Sequence, residues 1–304
     1  MSRTGEPLVD AAGIHAAYGK TPVLHGIDMR VAAGEIMAVV GLNGAGKSTL
    51  MRCVAGLKRP TAGRVVVGGV DVHGGGQANI ALVLQGVAIE RQLTGVQYLR
   101  FVARTRGVSR AEARSLATAV IDELDLRSFA ERRGSEISGG QARRLQLAGS
   151  LVRRPDVLLL DEPTTGLDAV ARRHYWTVLR DLADRGLAVV AVTHHVDEAS
   201  LADSVLVISD GHAVSSGRPE QLVGEAALSV VEVVCGSREQ VGAVADALPA
   251  VDAERKDKVI TLTTADPGTA LATVQGLGLP GVSLSVRPAA LDDLLIRLAK
   301  ERQS

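Results

Sequence analysis

The sequence has few cysteines, few aromatic residues and no excess of charge of either sign. Two cysteines, Cys53 and Cys235, are too few for a disulfide framework or a cysteine-based zinc site. Aromatic residues make up only 2% of the chain, which disfavours the stacking surfaces that bind single-stranded nucleic acid. Because 34 basic residues balance 34 acidic ones, bulk positive charge cannot attract polyanions, although a local phosphate site is still allowed.

Long apolar runs and a secretory leader are also missing from the sequence. No stretch approaches the roughly 18 apolar residues that would span a bilayer, and the first residues lack the apolar core of a signal peptide. We therefore expect a cytoplasmic protein. Its 304 residues suggest two domains at about 150 residues per domain.

Short apolar runs alternate with amphipathic stretches from residue 8 to about residue 217. The apolar runs lack the alternation of a half-exposed strand, so they predict a mostly parallel sheet covered by helices on both faces. The predicted strands are 36–40, 64–67, 81–84, 157–160, 188–192 and 205–208, and predicted helices include 111–124 and 169–184.

The pattern changes after a polar segment at 215–225, which we interpret as the exit from the first domain. We assign residues 1–222 to a first domain and residues 228–304 to a second. In the second, predicted elements follow the order strand, helix, strand, strand, helix, strand, with an added helix at the end. This order predicts a small α+β unit of the ferredoxin-like kind. The elements are strand 228–234, helix 238–248, a strand near 250–254, strand 259–263, helix 269–277, strand 282–286 and helix 291–300.

A glycine-rich loop between a predicted strand and a predicted helix carries the strongest functional signal. It fits the pattern G-x-x-x-x-G-K-[ST] of a P-loop. The glycines allow a tight turn that aims backbone N–H groups at phosphate, and the following helix N-terminus adds partial positive charge. The lysine can neutralise β- and γ-phosphate oxygens, and the serine can offer its hydroxyl to Mg²⁺. The predicted binding residues are Gly41, Asn43, Gly44, Ala45, Gly46, Lys47, Ser48 and Thr49.

Two consecutive carboxylates follow the predicted strand 157–160. Because ligands of parallel sheets sit at the carboxyl ends of strands, Asp161 can hold Mg²⁺ and Glu162 can polarise a water near the γ-phosphate. An isolated Asp-Glu pair is usually a solvated strand end, and the P-loop is what favours the functional interpretation. The motif Asn/Thr-Lys-x-Asp of guanine-specific proteins does not follow, which favours adenine or a loose choice of base. These features alone do not separate a kinase, a GTPase and a transport ATPase.

A second anion-binding element lies between the two motifs. Ser138, Gly139, Gly140 and Gln141 open a predicted helix, where the serine hydroxyl and backbone N–H groups can face an anion. A second phosphate-binding element is redundant in one chain unless it serves another nucleotide, such as one held by another subunit.

Together these motifs resemble the ATP-binding subunit of ABC transporters over residues 8 to 222. Residues 137–141 resemble the signature motif of that family, with isoleucine in place of the usual leucine. The resemblance implies a P-loop NTPase fold with a mostly parallel sheet, an antiparallel N-terminal part and a helical subdomain. It also implies ATP and Mg²⁺ as ligands, Asp161 as the magnesium carboxylate and Glu162 as the catalytic one. Two subunits of this family sandwich two ATP molecules, which implies a homodimer or a dimer with a close paralogue.

The resemblance assigns roles to residues that would otherwise carry little signal. Tyr18 is placed like the aromatic residue that stacks on adenine, and Gln85 like the glutamine that contacts Mg²⁺ and the attacking water. Asp168 lies in the loop that crosses the dimer interface. His194 matches the switch histidine that contacts the γ-phosphate, and the pattern Thr-His-x-x-x-Glu favours it over His195.

One segment and the tail resemble a particular branch, the daunorubicin-resistance-type drug exporters of the ABC-2 class. The run at 93–99 is similar to their Leu-Thr-Gly-Arg-Glu-Asn-Leu, from which Val96, Gln97 and Tyr98 depart, and the tail at 286–298 is similar to their final segment. This resemblance implies an exporter subunit that energises a separate polytopic permease through residues 85–99, on the inner face of the membrane. The transported compound would be a drug or another hydrophobic molecule.

Two other functions stay open from the sequence. One is a soluble ABC ATPase acting on ribosomes or DNA, and the other is the ATPase of a polysaccharide or lipid exporter. We expect no nucleic-acid partner. The basic pairs at 132–133, 143–144, 153–154 and 172–173 are expected on solvated faces or in ion pairs, given the zero net charge.

Overall fold

The computed structural model describes residues 6–86, 89–248, 253–291, 293, 294 and 297. Contacts within the chain divide it into two units, Met1–Ala213 and Val214–Ser304. The sequence-based boundary between 222 and 228 lies later in the chain and stays a prediction. The predicted final helix, 291–300, falls mostly outside the described residues.

The first unit contains two sheets and a group of helices. Its strands are β1 (Val9–Tyr18), β2 (Thr21–Val31), β3 (Ile36–Val40), β4 (Ala62–Val67), β5 (Val70–Asp71), β6 (Ile80–Val83), β7 (Val157–Asp161), β8 (Ala188–Val192), β9 (Ser204–Ser209) and β10 (His212–Gly217), the last of which crosses the boundary between the units. Its helices are α1 (Lys47–Val54), α2 (Gly95–Thr105), α3 (Arg110–Glu123), α4 (Gly139–Leu151), α5 (Ala169–Asp184) and α6 (Val196–Ala199).

A six-stranded sheet in the order β10-β9-β3-β8-β7-β6 positions the candidate site. Strand β3 pairs in parallel with β8 and β9, and β7 pairs in parallel with β8 and β6. Every residue of β3 and β8 is buried, which explains why their sequences show no alternation. The prediction of a mostly parallel sheet is confirmed. Because β3, β6, β7 and β8 run the same way, the residues that follow them meet at one edge.

The remaining strands form the antiparallel part of the unit, in the order β2-β1-β4-β5. Register shifts interrupt the pairing of β1 with β2, the first of them between Ala11 and Ile14. Residues of both sheets, among them Ile14, Ile27, Val39 and Leu159, share one hydrophobic core with α1. The helices α2, α3 and α4 pack on one another and bury Leu99, Ala117 and Leu145. This group is the predicted helical subdomain.

The second unit begins with the end of β10. It continues through α7 (Pro219–Ala226), β11 (Ser229–Val234), α8 (Arg238–Ala247), β12 (Ala253–Lys256), β13 (Val259–Thr264), α9 (Pro267–Gly276) and β14 (Ser283–Pro288). The helix α7 lies where the sequence suggested only an exit segment, and a proline in its first turn favours this start. From β11 to β14 the element order is the one expected from the sequence.

The sheet of the second unit is antiparallel, in the order β12-β13-β11-β14. Side chains of α8 and α9, such as Val244 and Val274, share a core with Val233 and Ile260 of the sheet. This connectivity and pairing are those of a ferredoxin-like unit. Within the described residues of the whole chain, no helix is both long enough and apolar enough to cross a membrane.

Candidate active site

The glycine-rich loop joins β3 to α1 at the carboxyl edge of the parallel sheet. A side chain at Gly41 would place its Cβ 2.1 Å from the carbonyl oxygen of Ile208, so only glycine fits there. Gly46 has a left-handed φ of 104°, and its Cβ would lie 2.6 Å from Cδ2 of Leu24. The first and last glycines of the motif therefore allow close packing of the loop. Its outer residues, such as Asn43, are exposed.

Lys47 lies across this loop rather than projecting into solvent. Its Nζ donates hydrogen bonds to the carbonyl oxygens of Gly41 and Leu42, at 2.8 and 2.9 Å. Burial lowers the pKa of this ammonium group, and the negative charges of Glu162 and Asp161 oppose that shift. The loop and its lysine thus form a cradle whose positive charge is not matched by a direct ion pair in the described residues. This arrangement fits the phosphates of a nucleotide.

Asp161 and Ser48 provide the hard oxygen atoms that magnesium prefers. Burial raises the pKa of Asp161, the adjacent carboxylate of Glu162 raises it further, and a hydrogen bond with Ser48 opposes both. Among the described residues, no group of three or more His, Cys, Asp or Glu side chains is arranged to hold a metal ion. A magnesium ion here would take few protein ligands and complete its shell with water and phosphate, as Mg²⁺ commonly does at nucleotide sites.

The side chain of Glu162 is at the centre of a group of three predicted residues. Its Oε2 accepts hydrogen bonds from Nε2 of Gln85, at 2.7 Å, and from the hydroxyl of Thr165, at 3.1 Å. Nδ1 of His194 lies 3.3 Å from its Oε1. The backbone of Glu162 has a left-handed φ of 48°, and its N–H donates to the carbonyl of Val192. The structure thus brings together Gln85, Glu162 and His194, whose catalytic roles stay predictions.

The two adjacent histidines differ in what they contact. Their rings are 4.1 Å apart and tilted by 39°, and His194 is the one beside the Glu162 carboxylate. The backbone N–H of His195 donates to the hydroxyl of Thr193. This geometry favours His194 as the switch histidine, as the sequence pattern did.

A buried glutamate that contacts Thr193, the residue before the two histidines, was not among the predicted site residues. Glu198 is 1% exposed and accepts hydrogen bonds from the hydroxyls of Thr193 and Thr164. Nε of Arg172 lies 3.4 Å from its Oε1. Glu198 therefore joins the turn after β7 to the end of β8. The spacing Thr-His-x-x-x-Glu was the sequence signal that could have identified it.

Tyr18 ends β1 beside the P-loop helix. Its ring is 46% exposed, and its hydroxyl accepts a hydrogen bond from Arg52 of α1 at 3.0 Å. That hydrogen bond lowers the pKa of the phenol, as does a second one with Thr49. Nζ of Lys58 lies 4.0 Å from the ring centroid. Lys58 thus covers one face of the ring, and an adenine would stack on the other face.

The signature-like segment begins α4. The hydroxyl oxygen of Ser138 accepts a hydrogen bond from the N–H of Gln141, and the Gln141 side chain accepts one from the Ser138 N–H. Ser138 is exposed, as the sequence suggested. Its hydroxyl oxygen also caps the helix, because the serine and the glutamine three residues later form a capping box. The hydroxyl proton remains to be donated.

A surface pocket of about 320 Å³ lies beside this helix start. Its lining includes Ser138, Gly140, Gln141, Asp168 and Tyr175. Asp168 caps α5 by accepting a hydrogen bond from the N–H of Ala171. None of the P-loop residues lines this pocket, so the chain carries two separate candidate phosphate sites.

The segment that departs from the drug-exporter pattern has a structural explanation at two positions. Gln97 completes a capping box with Thr94 at the start of α2. Tyr98 packs over Gly149 of α4, where a Cβ would lie 3.0 Å from the tyrosine hydroxyl. Two apolar side chains, Leu84 after β6 and Phe101 of α2, are 51% and 57% exposed.

The expectation of solvated basic pairs is wrong for Arg143. Five of these residues, Arg132, Arg133, Arg153, Arg154 and Arg173, are exposed. Arg143 is instead 6% exposed and donates a hydrogen bond to the backbone carbonyl of Gln85.

Comparisons with known proteins give matches along nearly the whole chain. The family described as ABC transporter matches residues 24–165. The daunorubicin resistance ATP-binding protein DrrA3 of Streptomyces coeruleorubidus is 35% identical over 305 residues, which cover 96% of each chain. The Nod factor export ATP-binding protein I of Rhizobium meliloti (strain 1021) is 34% identical over 297 residues, which cover 95% of this chain and 87% of that protein.

Solved structures are similar to the greater part of the chain. The structure of cbiO1 from Clostridium perfringens, described as part of the ABC transporter complex cbiONQ, covers 73% of this chain and 92% of its own. Its TM-score is 0.66 and its identity 25%. The ATP-binding cassette MJ0796, in a dimeric post-hydrolysis state with ADP and Pi, covers 69% of this chain and 98% of its own, with a TM-score of 0.61 and 25% identity.

Proposed function

The chain belongs to the family of ABC transporter ATP-binding subunits, which hydrolyse ATP, and on this premise we propose that it drives a bacterial exporter. In this proposal, ATP closes a dimer of the chain and hydrolysis reopens it, which moves a separate membrane subunit. The observation that supports it most is the meeting of Gln85, Glu162 and His194 at the sheet edge that carries the P-loop.

The chemistry of the proposed site is phosphoryl transfer to water. Glu162 polarises a water that attacks the γ-phosphate, while Gln85 and His194 hold the carboxylate in place. Lys47 and the backbone N–H groups of the loop neutralise the charge that develops on the phosphate oxygens. Ser48 and Asp161 would hold Mg²⁺, which supplies further neutralisation of the phosphates when bound.

The second anion-binding element supports a shared site. Ser138 and the residues around it form a pocket that contains no P-loop residue. The simplest use for such a pocket is a nucleotide held by the P-loop of another copy. We therefore propose a homodimer with two ATP molecules between the chains, and the dimeric state of MJ0796 with ADP and Pi supports this arrangement.

The partner and cargo are proposed from the relatives and from one surface. The relatives are named for daunorubicin resistance and for Nod factor export. We propose a polytopic permease that docks near residues 85–99, where Leu84 and Phe101 expose apolar area, and a drug or other hydrophobic compound as cargo. The chain would then act at the cytoplasmic face of the membrane.

A capture experiment with Glu162→Gln tests this proposal. The amide keeps the size of the side chain but cannot act as a base, so the variant should bind ATP, turn over at least about 10²-fold more slowly and accumulate as a closed dimer. The tagged variant is incubated with native membranes, solubilised with ATP and Mg²⁺, and purified.

Co-purification of a polytopic membrane protein is the expected result. The control is the same variant with Lys47→Met added, which should capture nothing in an ATP-dependent way. Capture of ribosomes or DNA, with no membrane protein, would contradict the exporter function and support a soluble ABC ATPase. Unchanged turnover of Glu162→Gln would contradict the assigned base.

A further inference from the structure

Two side chains of α4 hold three consecutive backbone carbonyls of the loop after β6. Arg143 donates a hydrogen bond to the carbonyl of Gln85. Nε2 of Gln146 donates to the carbonyl of Gly86 at 2.8 Å and, more weakly, to that of Leu84 at 3.4 Å. We call these two side chains, Arg143 and Gln146, the loop clamp.

A hydrogen bond between the two side chains of the loop clamp fixes their relative orientation. The guanidinium of Arg143 also donates to Oε1 of Gln146, at 3.2 Å. This bond fixes the orientation of the Gln146 amide, so that its NH₂ group faces the loop. Arg143 is 6% exposed, and burying a guanidinium is costly unless its donors are used. Its hydrogen bonds to the loop and to Gln146 therefore stabilise the buried position of its guanidinium.

The clamped loop contains Gln85, whose side chain contacts Glu162. While the backbone of Gln85 is held by α4, its side-chain Nε2 donates to Oε2 of Glu162 at 2.7 Å. The backbone of Gln85 is thus hydrogen-bonded to α4 and its side chain to Glu162. At its first turn the same helix carries Ser138, which lines the separate pocket.

We propose that Arg143 and Gln146 are positioning residues that hold the Gln85 amide on Glu162. This inference rests on the proposed function, because Glu162 is there the group that polarises the attacking water.

A double-mutant cycle between Gln146 and Gln85 tests the positioning role. Gln146→Met keeps the length of the side chain and removes all three hydrogen bonds of the amide, two donated to the loop and one accepted from Arg143. Because small displacements of catalytic groups are costly, kcat should fall about tenfold, with KM for ATP nearly unchanged. If Gln146 acts through Gln85, then Gln146→Met should cause no further loss in a Gln85→Ala background. Losses that multiply in the double variant, or an unchanged kcat in Gln146→Met, would overturn the role.

A matched control separates positioning from a general loss of stability. The side-chain amide of Asn79 donates to the carbonyl of Arg154 at 3.0 Å, just before the other end of β6. Asn79→Leu removes a bond of the same kind and should keep kcat. Arg143→Lys, which retains one donor to the loop, serves as the second variant if Gln146→Met does not fold. It should lose kcat partially, again without effect in the Gln85→Ala background.

Failure of the proposed function is distinguishable, because it appears in the wild-type chain itself. A wild-type chain that hydrolyses ATP as a monomer would end the dimer proposal, while the cycle would still report on Gln146 and Gln85.

Discussion

Ser138 and Asp168 cap the first turns of two different helices, α4 and α5, and both side chains line the same pocket. Each cap uses one side-chain oxygen on its own helix. The pocket therefore lies beside two helix N-termini, whose partial positive charge favours an anion, while the carboxylate of Asp168 opposes one.

Replacing Ser138 by arginine should abolish hydrolysis while leaving nucleotide binding at the P-loop intact. The larger side chain fills the pocket, so a second copy cannot complete the site. Phosphate release and binding of a fluorescent ATP analogue measure the two effects. Loss of the helix cap alone costs about 1 kcal/mol, and Ser237→Arg controls for it, because Ser237 forms the same capping box with Gln240 at the start of α8. Normal hydrolysis by the Ser138→Arg variant as a monomer would contradict the shared site.

The two adjacent histidines should differ in their effect on turnover. His194→Ala removes the ring that lies 3.3 Å from Glu162, and kcat should fall about 10²-fold, as for the loss of one preorganised polar contact in an active site. His195→Ala removes a neighbouring ring of the same size that, within the described residues, forms no hydrogen bond or ion pair with the carboxylate, and it should keep most of the activity. Equal losses in the two variants would show that the ring stack, rather than the contact with Glu162, is what matters.

Replacing Asp161 by asparagine should stabilise the nucleotide-free protein while abolishing magnesium-dependent hydrolysis. Burial and the charge of Glu162 raise the pKa of Asp161 from 3.8. A raised carboxyl pKa means that ionisation costs the folded state more than the unfolded one, so stability is lost as pH rises from 3.8 through the folded pKa. The gain in unfolding temperature of Asp161→Asn should be largest at neutral pH and shrink towards pH 4. A variant less stable than the wild type at neutral pH would contradict this assignment.

Tyr18 allows ring stacking to be separated from the hydroxyl. Tyr18→Ala should raise KM for ATP about tenfold, because stacking of a base on an aromatic ring is worth roughly 1–3 kcal/mol. Tyr18→Phe loses the hydrogen bond from Arg52 but keeps the ring, and its KM should stay close to that of the wild type. If Tyr18→Ala left KM unchanged, the adenine would have to bind elsewhere.

The sequence predicted the centre of the parallel sheet most closely. The bounds of β3, β8 and α5 match the expectation, because each follows a distinct change from polar to apolar character or a capping aspartate. The strands β1 and β2 were expected only as an antiparallel part, through resemblance to a family. The register shifts between them, beginning after Ala11, break the alternation by which single strands are identified.

The contacts that bind the candidate site together could not be predicted from local patterns. Gln85 and Glu162 are 77 positions apart, and their hydrogen bond depends on the pairing of β6 with β7. Arg143 was expected on a solvated face or in an ion pair, because charge patterning cannot reveal an arginine whose donors are used by a distant loop. Both the contact between Gln85 and Glu162 and the burial of Arg143 depend on segments that are distant in the sequence, and local patterns do not reveal such contacts.

Tyr98 and Gly149 set how closely α2 and α4 approach each other at this point. A Cβ added at 149 would lie 3.0 Å from the tyrosine hydroxyl and 3.1 Å from Cε1 of its ring. A residue larger than glycine at 149 therefore requires the Tyr98 side chain to shift by a few tenths of an ångström. The absence of a side chain at 149 is thus what admits a tyrosine at 98.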